Sequence, residues 1–368
     1  MAEVTTTSPP VEDQFGEKEE KPEGYVLSYE PFSDSSNFGF RSNGRYVPWL
    51  VRRALKQLGS EESRCRLEVI TSCSGIIEVL LSRKNIESIP PEIFDFVSLE
   101  VLRLDNNKLQ LMDAHIGRLR SLRSLILGKN QLTSLPASLA NCHHLVELDL
   151  QCNRFQSIPP CIWRLKKLTS LNFSWNQLTS ISPDIARLKR LRYLNLEGNS
   201  LEDSGDPNNI HSVGAFPMEM VLLEHLEMLN IGDNNLQRLP PVICRLQNLR
   251  SINLAGNKLS DLPPSLVRLE YLSELSLANN NFSNVPNSLS DMKSLRYLNI
   301  SRNCLRVLPG NLALLDRLQI LLASGNNLVA ISDCLSHNLQ VLDVSQNKLR
   351  TLCIGRVSFF ILVFLDLI

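Results

Sequence analysis

The chain has little that would commit it to an obvious chemistry. Its 38 lysines and arginines are matched by 38 acidic residues over 368 positions, so no net field draws it toward nucleic acid or a membrane surface. Aromatics make up only 6% of the sequence. No run of about 18 apolar residues occurs, so no helix is expected to span a membrane, and the first thirty residues lack the apolar core of a secretory signal. Nine cysteines are scattered from Cys65 to Cys353 with no C-x-x-C pair, and an odd number is a poor framework for disulfides. We read them as reduced, mostly buried thiols in a cytoplasmic protein. The glycosylation-type triplets at Asn172, Asn281 and Asn299 are then chance matches.

Catalytic signatures are also missing. There is no G-x-x-x-x-G-K-[ST], G-x-G-x-x-G, H-E-x-x-H or G-x-S-x-G stretch. Cys142, His143 and His144 adjoin without metal-ligand spacing. The expectation is no enzyme within these residues, no cofactor, no metal and no small-molecule substrate.

What is present is repetition. "LEVLRLDNNKL" (99–109), "LRSLILGKNQL" (122–132), "LVELDLQCNRF" (145–155) and "LTSLNFSWNQL" (168–178) follow one template, L-x-x-L-x-L-x-x-N-x-L, every 23 residues. Its asparagine recurs at Asn107, Asn130, Asn153, Asn176, Asn199, Asn234, Asn257, Asn280, Asn303, Asn326 and Asn347, and Lys84 holds the position one step earlier. That makes twelve repeats. The pattern resembles the leucine-rich-repeat superfamily over nearly four fifths of the chain, from Ile76 to the end. The 23-residue length and the prolines after the asparagine, among them Pro90, Pro136 and Pro159, are similar to the intracellular Ras-suppressor and scribble-type class.

The spacing has a physical reading of its own. Each L-x-L segment forms a short parallel strand with leucines inward and the intervening residues outward. The asparagine amide satisfies turn backbone groups inside the stack, and apolar residues nine and twelve places later close the opposite side. One unit cannot bury its leucines, whereas stacked units can. The expected fold is therefore an α/β leucine-rich-repeat solenoid, curved, with parallel strands on the concave face and short helices or irregular turns on the convex face.

The remaining segments divide as follows. Residues 1–45 are expected to be a disordered leader, 46–75 an N-terminal helical cap built on "PWLVRRALKQLG" (48–59), and 76–368 the solenoid, with a loop inserted at 202–213. The cap helix has a rival reading as a basic membrane- or calmodulin-binding helix. Counting 23 from Asn347 places Leu362, Leu365 and Leu367 in the strand columns of a truncated thirteenth unit, as in a fragment of a longer protein. The rival there is an apolar strand pairing with another chain. "RVSF" (356–359) matches the peptide that docks phosphatase type 1, but it falls on a column expected to be buried.

Function is then expected on the concave face. Candidate partner-binding residues are Arg103, Glu147, Asp149, Asn172, Trp175, Tyr193, Asn195, Glu197, Asn230, Asp233, Asn253, Glu274, Tyr297 and Asn299. Five acidic residues and no basic one occupy these columns from Glu147 to Asn279, with Arg83, Arg103, Lys129 and Arg302 outside that stretch. Such a hollow suits a protein partner presenting basic residues. The reading is a non-catalytic scaffold or adaptor in intracellular signalling, with no nucleic acid and no membrane span, and the resemblance implies small GTPases or phosphatase subunits as partners. The alternatives are the recognition arm of a larger leucine-rich-repeat kinase or phosphatase, and a phosphatase type 1 targeting subunit.

Overall fold

A computed structural model describes residues 68–72, 75–202, 214–331 and 335–350 and the backbone of 362–364, with side chains described from residue 77 to 350. The leader, the 48–59 helix, most of the 202–213 insertion and the 356–359 motif lie outside the described residues. All that is described belongs to one unit, Val47–Ile368.

A fourteen-stranded sheet runs through the described residues, from Glu68–Ser72 to Leu362–Phe364. Its first strand, β1 (Glu68–Ser72), pairs antiparallel with β2 (Gly75–Leu80), and every later neighbour is parallel. The β1 strand lies within the segment 46–75 expected to form a helical cap, whose helix at 48–59 is outside the described residues. It covers the hydrogen-bonding edge that β2 would otherwise leave open. From Val101–Arg103 onward most strands have only three residues, with the middle one buried. Leu125, Leu148 and Leu171 stand opposite one another in register, as the period of two along a strand requires. Leu104, Leu150 and Leu254 are fully buried.

The opposite side is made of 3-10 turns. Pro90, Pro136, Pro159, Pro217, Pro263, Pro286 and Pro309 stand immediately before them, with φ between −74° and −57°. Where that proline is missing a polar cap replaces it: Asp113 accepts from the His115 N–H, and Ser182 from that of Asp184. The third residue of the turn and the residue after its end, such as Ile162 and Leu165, are buried against the strand leucines. Phe155 and Phe173 meet edge to face at 5.4 Å within the same core. A separate two-stranded parallel sheet pairs Val307–Leu308 with Ala330–Ile331.

The asparagines hold the units together. Asn130 donates to the carbonyls of Leu127 in its own repeat and Leu104 in the previous one, at 2.9 and 3.0 Å. Its Oδ1 accepts the Leu109 N–H at 3.0 Å. The pattern repeats at the ten other asparagines, all buried. It survives the insertion, since Asn234 reaches back to Leu196 O and the Leu201 N–H at 3.0 Å each. Ala215 restores the contour by accepting from Ile181 N.

A strand also forms in the expected thirteenth unit, at Leu362–Phe364, but two residues out of the expected register: Val363, not Leu365, pairs with Leu342. The preceding step, Asn326 to Asn347, is 21 residues, and the strand continues that shorter step. A slip of two preserves the alternation of faces, which a slip of one would invert.

Two outcomes are expected from this architecture. Asn176→Ala strands the carbonyls of Leu150 and Phe173 and the N–H of Phe155, and should cost about 3 kcal/mol in chemical denaturation. Cys142 and Cys161 are buried, and burial pushes both thiols up to about 11, whereas Cys304 is exposed. Alkylation of the native protein followed by peptide mass spectrometry should label Cys304 well before either.

Candidate functional site

The outward residues of the strands form two columns, and the structure gives them different work. In the column just before the inward leucine, Glu147, Tyr193 and Tyr297 are half-buried and Glu274 is exposed. Glu147 accepts a hydrogen bond from Ser124 of the preceding strand at 2.6 Å.

The column just after that leucine holds Arg103, Asp149, Asn172, Asn195, Asn230, Asn253 and Asn299. Arg103 is exposed. In each of the others the side-chain oxygen accepts the backbone N–H two residues later, at 2.9 Å for Asp149 and 3.0 Å for the asparagines. These are turn-making side chains in a second ladder beside the first. The expectation that Asn172 and Asn195 line an open hollow is therefore corrected. They are 9% and 7% exposed, with their side-chain oxygens turned back onto their own turns. Asn230, Asn253 and Asn299 keep partial exposure. The recurrence of Asn or Asp at this one position was the available sign of a structural role.

Just beyond the strand, the residue before each buried asparagine turns into the left-handed region. Lys129, Trp175, Asp233 and Arg302 have φ of 56°, 55°, 47° and 54°. This bend swings the next residue inward and leaves the side chain before it displayed. Two of the three glycines in the column make room for such side chains. A Cβ at Gly198 would collide with the indole of Trp175, and one at Gly256 with the carboxylate of Asp233. Trp175 thus lies across Gly198 of the next repeat and is 52% exposed.

Charge is arranged around this tryptophan. Glu197 is half-buried and accepts from Asn230 Nδ2 at 3.0 Å, while Asp233 is exposed. Burial raises the Glu197 carboxyl above its ordinary value, the Asn230 amide opposes the rise, and the Asp233 charge adds to it. Burial lifts Asp149 to about 6, with the Gln151 N–H working against it and Glu147 and Asp105 reinforcing it. Tyr297 is also raised by burial. Three arginines border the row at the strand edge, Arg192, Arg250 and Arg296, and the first two turn to Glu227, at 3.3 and 3.8 Å. Arg83, Arg103, Lys129 and Arg302 are exposed on the flanks. Among the described residues no group of three His, Cys, Asp or Glu side chains could hold a metal ion. Cys142 points inward, donating to Ile116 O, while His143 and His144 face out.

A profile described as a leucine-rich repeat region matches residues 179–363. This chain belongs to the leucine-rich-repeat family. Two further leucine-rich-repeat profiles match residues 75–132 and 143–201, and 120–160. Comparison with curated protein sequences gives no match.

Among solved structures, a leucine-rich-repeat protein of Leptospira interrogans is similar at 30% identity over 73% of this chain and 71% of that one, with a TM-score of 0.60. The plant peptide hormone receptor RGFR1, solved in complex with RGF2, is 26% identical over 78% of this chain, which spans 48% of the receptor chain, with a TM-score of 0.57. Internalin InlF of Listeria monocytogenes shares the fold at 19% identity, with 87% and 95% of the two chains covered and a TM-score of 0.60.

The raised Asp149 carboxyl gives a pH test within this leucine-rich-repeat face. Because its folded value lies above the ordinary 3.8, its ionisation costs stability as pH rises through about 6. Asp149→Asn keeps the oxygen that caps Gln151 and removes the charge. Thermal melts should show the variant more stable by about 2 kcal/mol at neutral pH and level with the parent below about pH 4.

Proposed function

We propose that this leucine-rich-repeat protein is a non-catalytic scaffold or adaptor in intracellular signalling that grips a protein partner on its strand face. The observation that carries the reading is the uncompensated acidic stretch from Glu147 to Glu274. Glu147, Glu197, Asp233 and Glu274 face outward from it with Asp149 folded among them, no basic residue interrupts its columns, and of the bordering arginines Arg192 and Arg250 are engaged by Glu227 while Arg296 stands exposed at its far end. Trp175, Tyr193 and Tyr297 sit among these carboxylates as aromatic anchors, the residue types that contribute most at protein interfaces.

A partner segment with arginines or lysines matches this surface, with the charges setting orientation and association rate and the aromatics supplying most of the affinity. RGFR1 was solved with RGF2 bound, which supports a leucine-rich-repeat surface as a protein-recognition surface. The resemblance to the Ras-suppressor class adds small GTPases and phosphatase subunits as candidates. Buried free thiols at Cys142, Cys161 and Cys244 support a reducing, cytoplasmic setting.

The test is the triple reversal Glu147→Lys, Asp233→Lys and Glu274→Lys. Asp149 is left intact because its oxygen holds the Gln151 turn. Affinity purification with quantitative mass spectrometry should show recovery of the main partner falling by roughly tenfold or more, at an unchanged melting temperature. Equal recovery by the parent and the variant would remove the strand face from the interaction.

A further inference from the structure

A second charged surface lies away from the strand face, at the corner where each 3-10 turn leads back to its strand. Arg118, Arg164 and Arg187 end their turns. Two and three residues later come Arg120, then His143 and His144, Lys166 and Lys167, and Lys189 and Arg190, all exposed. No acidic residue occupies these positions between 118 and 190. Arg118 is paired with Asp95 and Arg187 with Asp184, at 3.1 and 2.9 Å. Arg120, Arg164, Lys166, Lys167, Lys189 and Arg190 have no acidic partner among the described residues. In a chain of zero net charge this is a local segregation of cations, repeated in register by the stacking of the units.

The same corner changes character farther along. Leu222 and Leu314 end their 3-10 turns where the arginines stood, and Tyr271 occupies the position of Lys167 and Arg190. They are 48%, 51% and 57% exposed. These apolar side chains have no role in the core, whose own columns are filled by Leu223, Leu269 and Leu315, and each stands within two residues of an exposed carboxylate, Glu224, Glu270 or Asp316.

We propose that this corner is a peripheral docking surface for a membrane rich in anionic lipid. The cations meet headgroup phosphates and carboxylates, and Leu222, Tyr271 and Leu314 enter the boundary between headgroups and acyl chains. Each lysine or arginine held near such a leaflet contributes about fivefold in affinity, screened by salt, so the effect depends on several being displayed together. The solenoid does this without any net charge on the chain. A single-stranded nucleic acid fits less well, because no exposed Trp, Tyr or Phe lies within the cationic row for bases to stack upon. The strand face stays free for the partner proposed above, and neither reading depends on the other.

The experiment is co-sedimentation of the full-length chain with vesicles of phosphatidylcholine, alone or mixed with phosphatidylserine. Binding is expected only to the mixed vesicles and should weaken as salt is raised. The variant Lys166→Glu, Lys167→Glu, Lys189→Glu and Arg190→Glu should bind on the order of a hundredfold more weakly. Its melting temperature should change little, since none of the four residues has an ion-pair partner to lose and only Lys167 gives up a hydrogen bond, an exposed one to His144 at 3.3 Å. Leu222→Ser with Tyr271→Ser should weaken binding while preserving its salt dependence. Equal binding to both vesicle types would overturn the proposal, as would full binding by the reversed variant. So would an RNA oligonucleotide captured through these same residues by a chain that ignores the vesicles.

Discussion

A carboxamide placed among leucines brings two N–H donors and an oxygen into a region without water, and all must be met there or the fold is lost. Each repeat resolves this by pointing its asparagine at three backbone groups, some in its own turn and some in the unit before. The bond across units is what makes the stack cooperative. A repeat without its neighbour leaves both its leucines and its amide unsatisfied, so stability accrues through nearest-neighbour contacts along the chain. The insertion between Asn199 and Asn234 shows how local the requirement is. Added residues are tolerated provided that Asn234 still reaches Leu196 O and the Leu201 N–H.

The same constraint organises the surface. To deliver the asparagine inward, the chain bends through a left-handed residue just before it, and that bend lifts one side chain per repeat clear of the core. Where a glycine occupies this place in the next unit, the displayed side chain lies down upon it, as Trp175 does over Gly198. The displayed columns of the strand face are thus a by-product of satisfying a buried amide. Its polar character is also partly structural: the Asn and Asp that follow the central strand leucine cap their own turns, and only the remaining columns are wholly available to a partner.

A balanced total charge conceals two opposed fields. Carboxylates gather on the strand face around Trp175, and cations, most of them without an acidic partner among the described residues, gather on the corner beyond the 3-10 turns. The regular fold keeps them apart, because each column of the repeat maps to one strip of surface. A protein so divided can meet two partners of opposite charge without either competing for the other's site. Surface ion pairs such as Arg192 with Glu227 matter here less for stability than for which charges they withdraw from display.

The period of the leucines and asparagines by itself determined the solenoid, the identity of the inward columns and the parallel register of the strands, because each column has one physical task and one residue type that suits it. It also located the acidic stretch, since alternate strand positions must face outward. Only the tertiary structure decided which outward residues are accessible. Asn172 and Asn195 look the same in the pattern as Asn253, yet they are buried and Asn253 is not. Likewise, β1 at the sheet edge and the two-residue shift at Val363 depend on pairing between segments. Hydrogen bonds between distant strands choose among registers that local spacing leaves nearly equivalent, and that choice lies outside the reach of any single repeat.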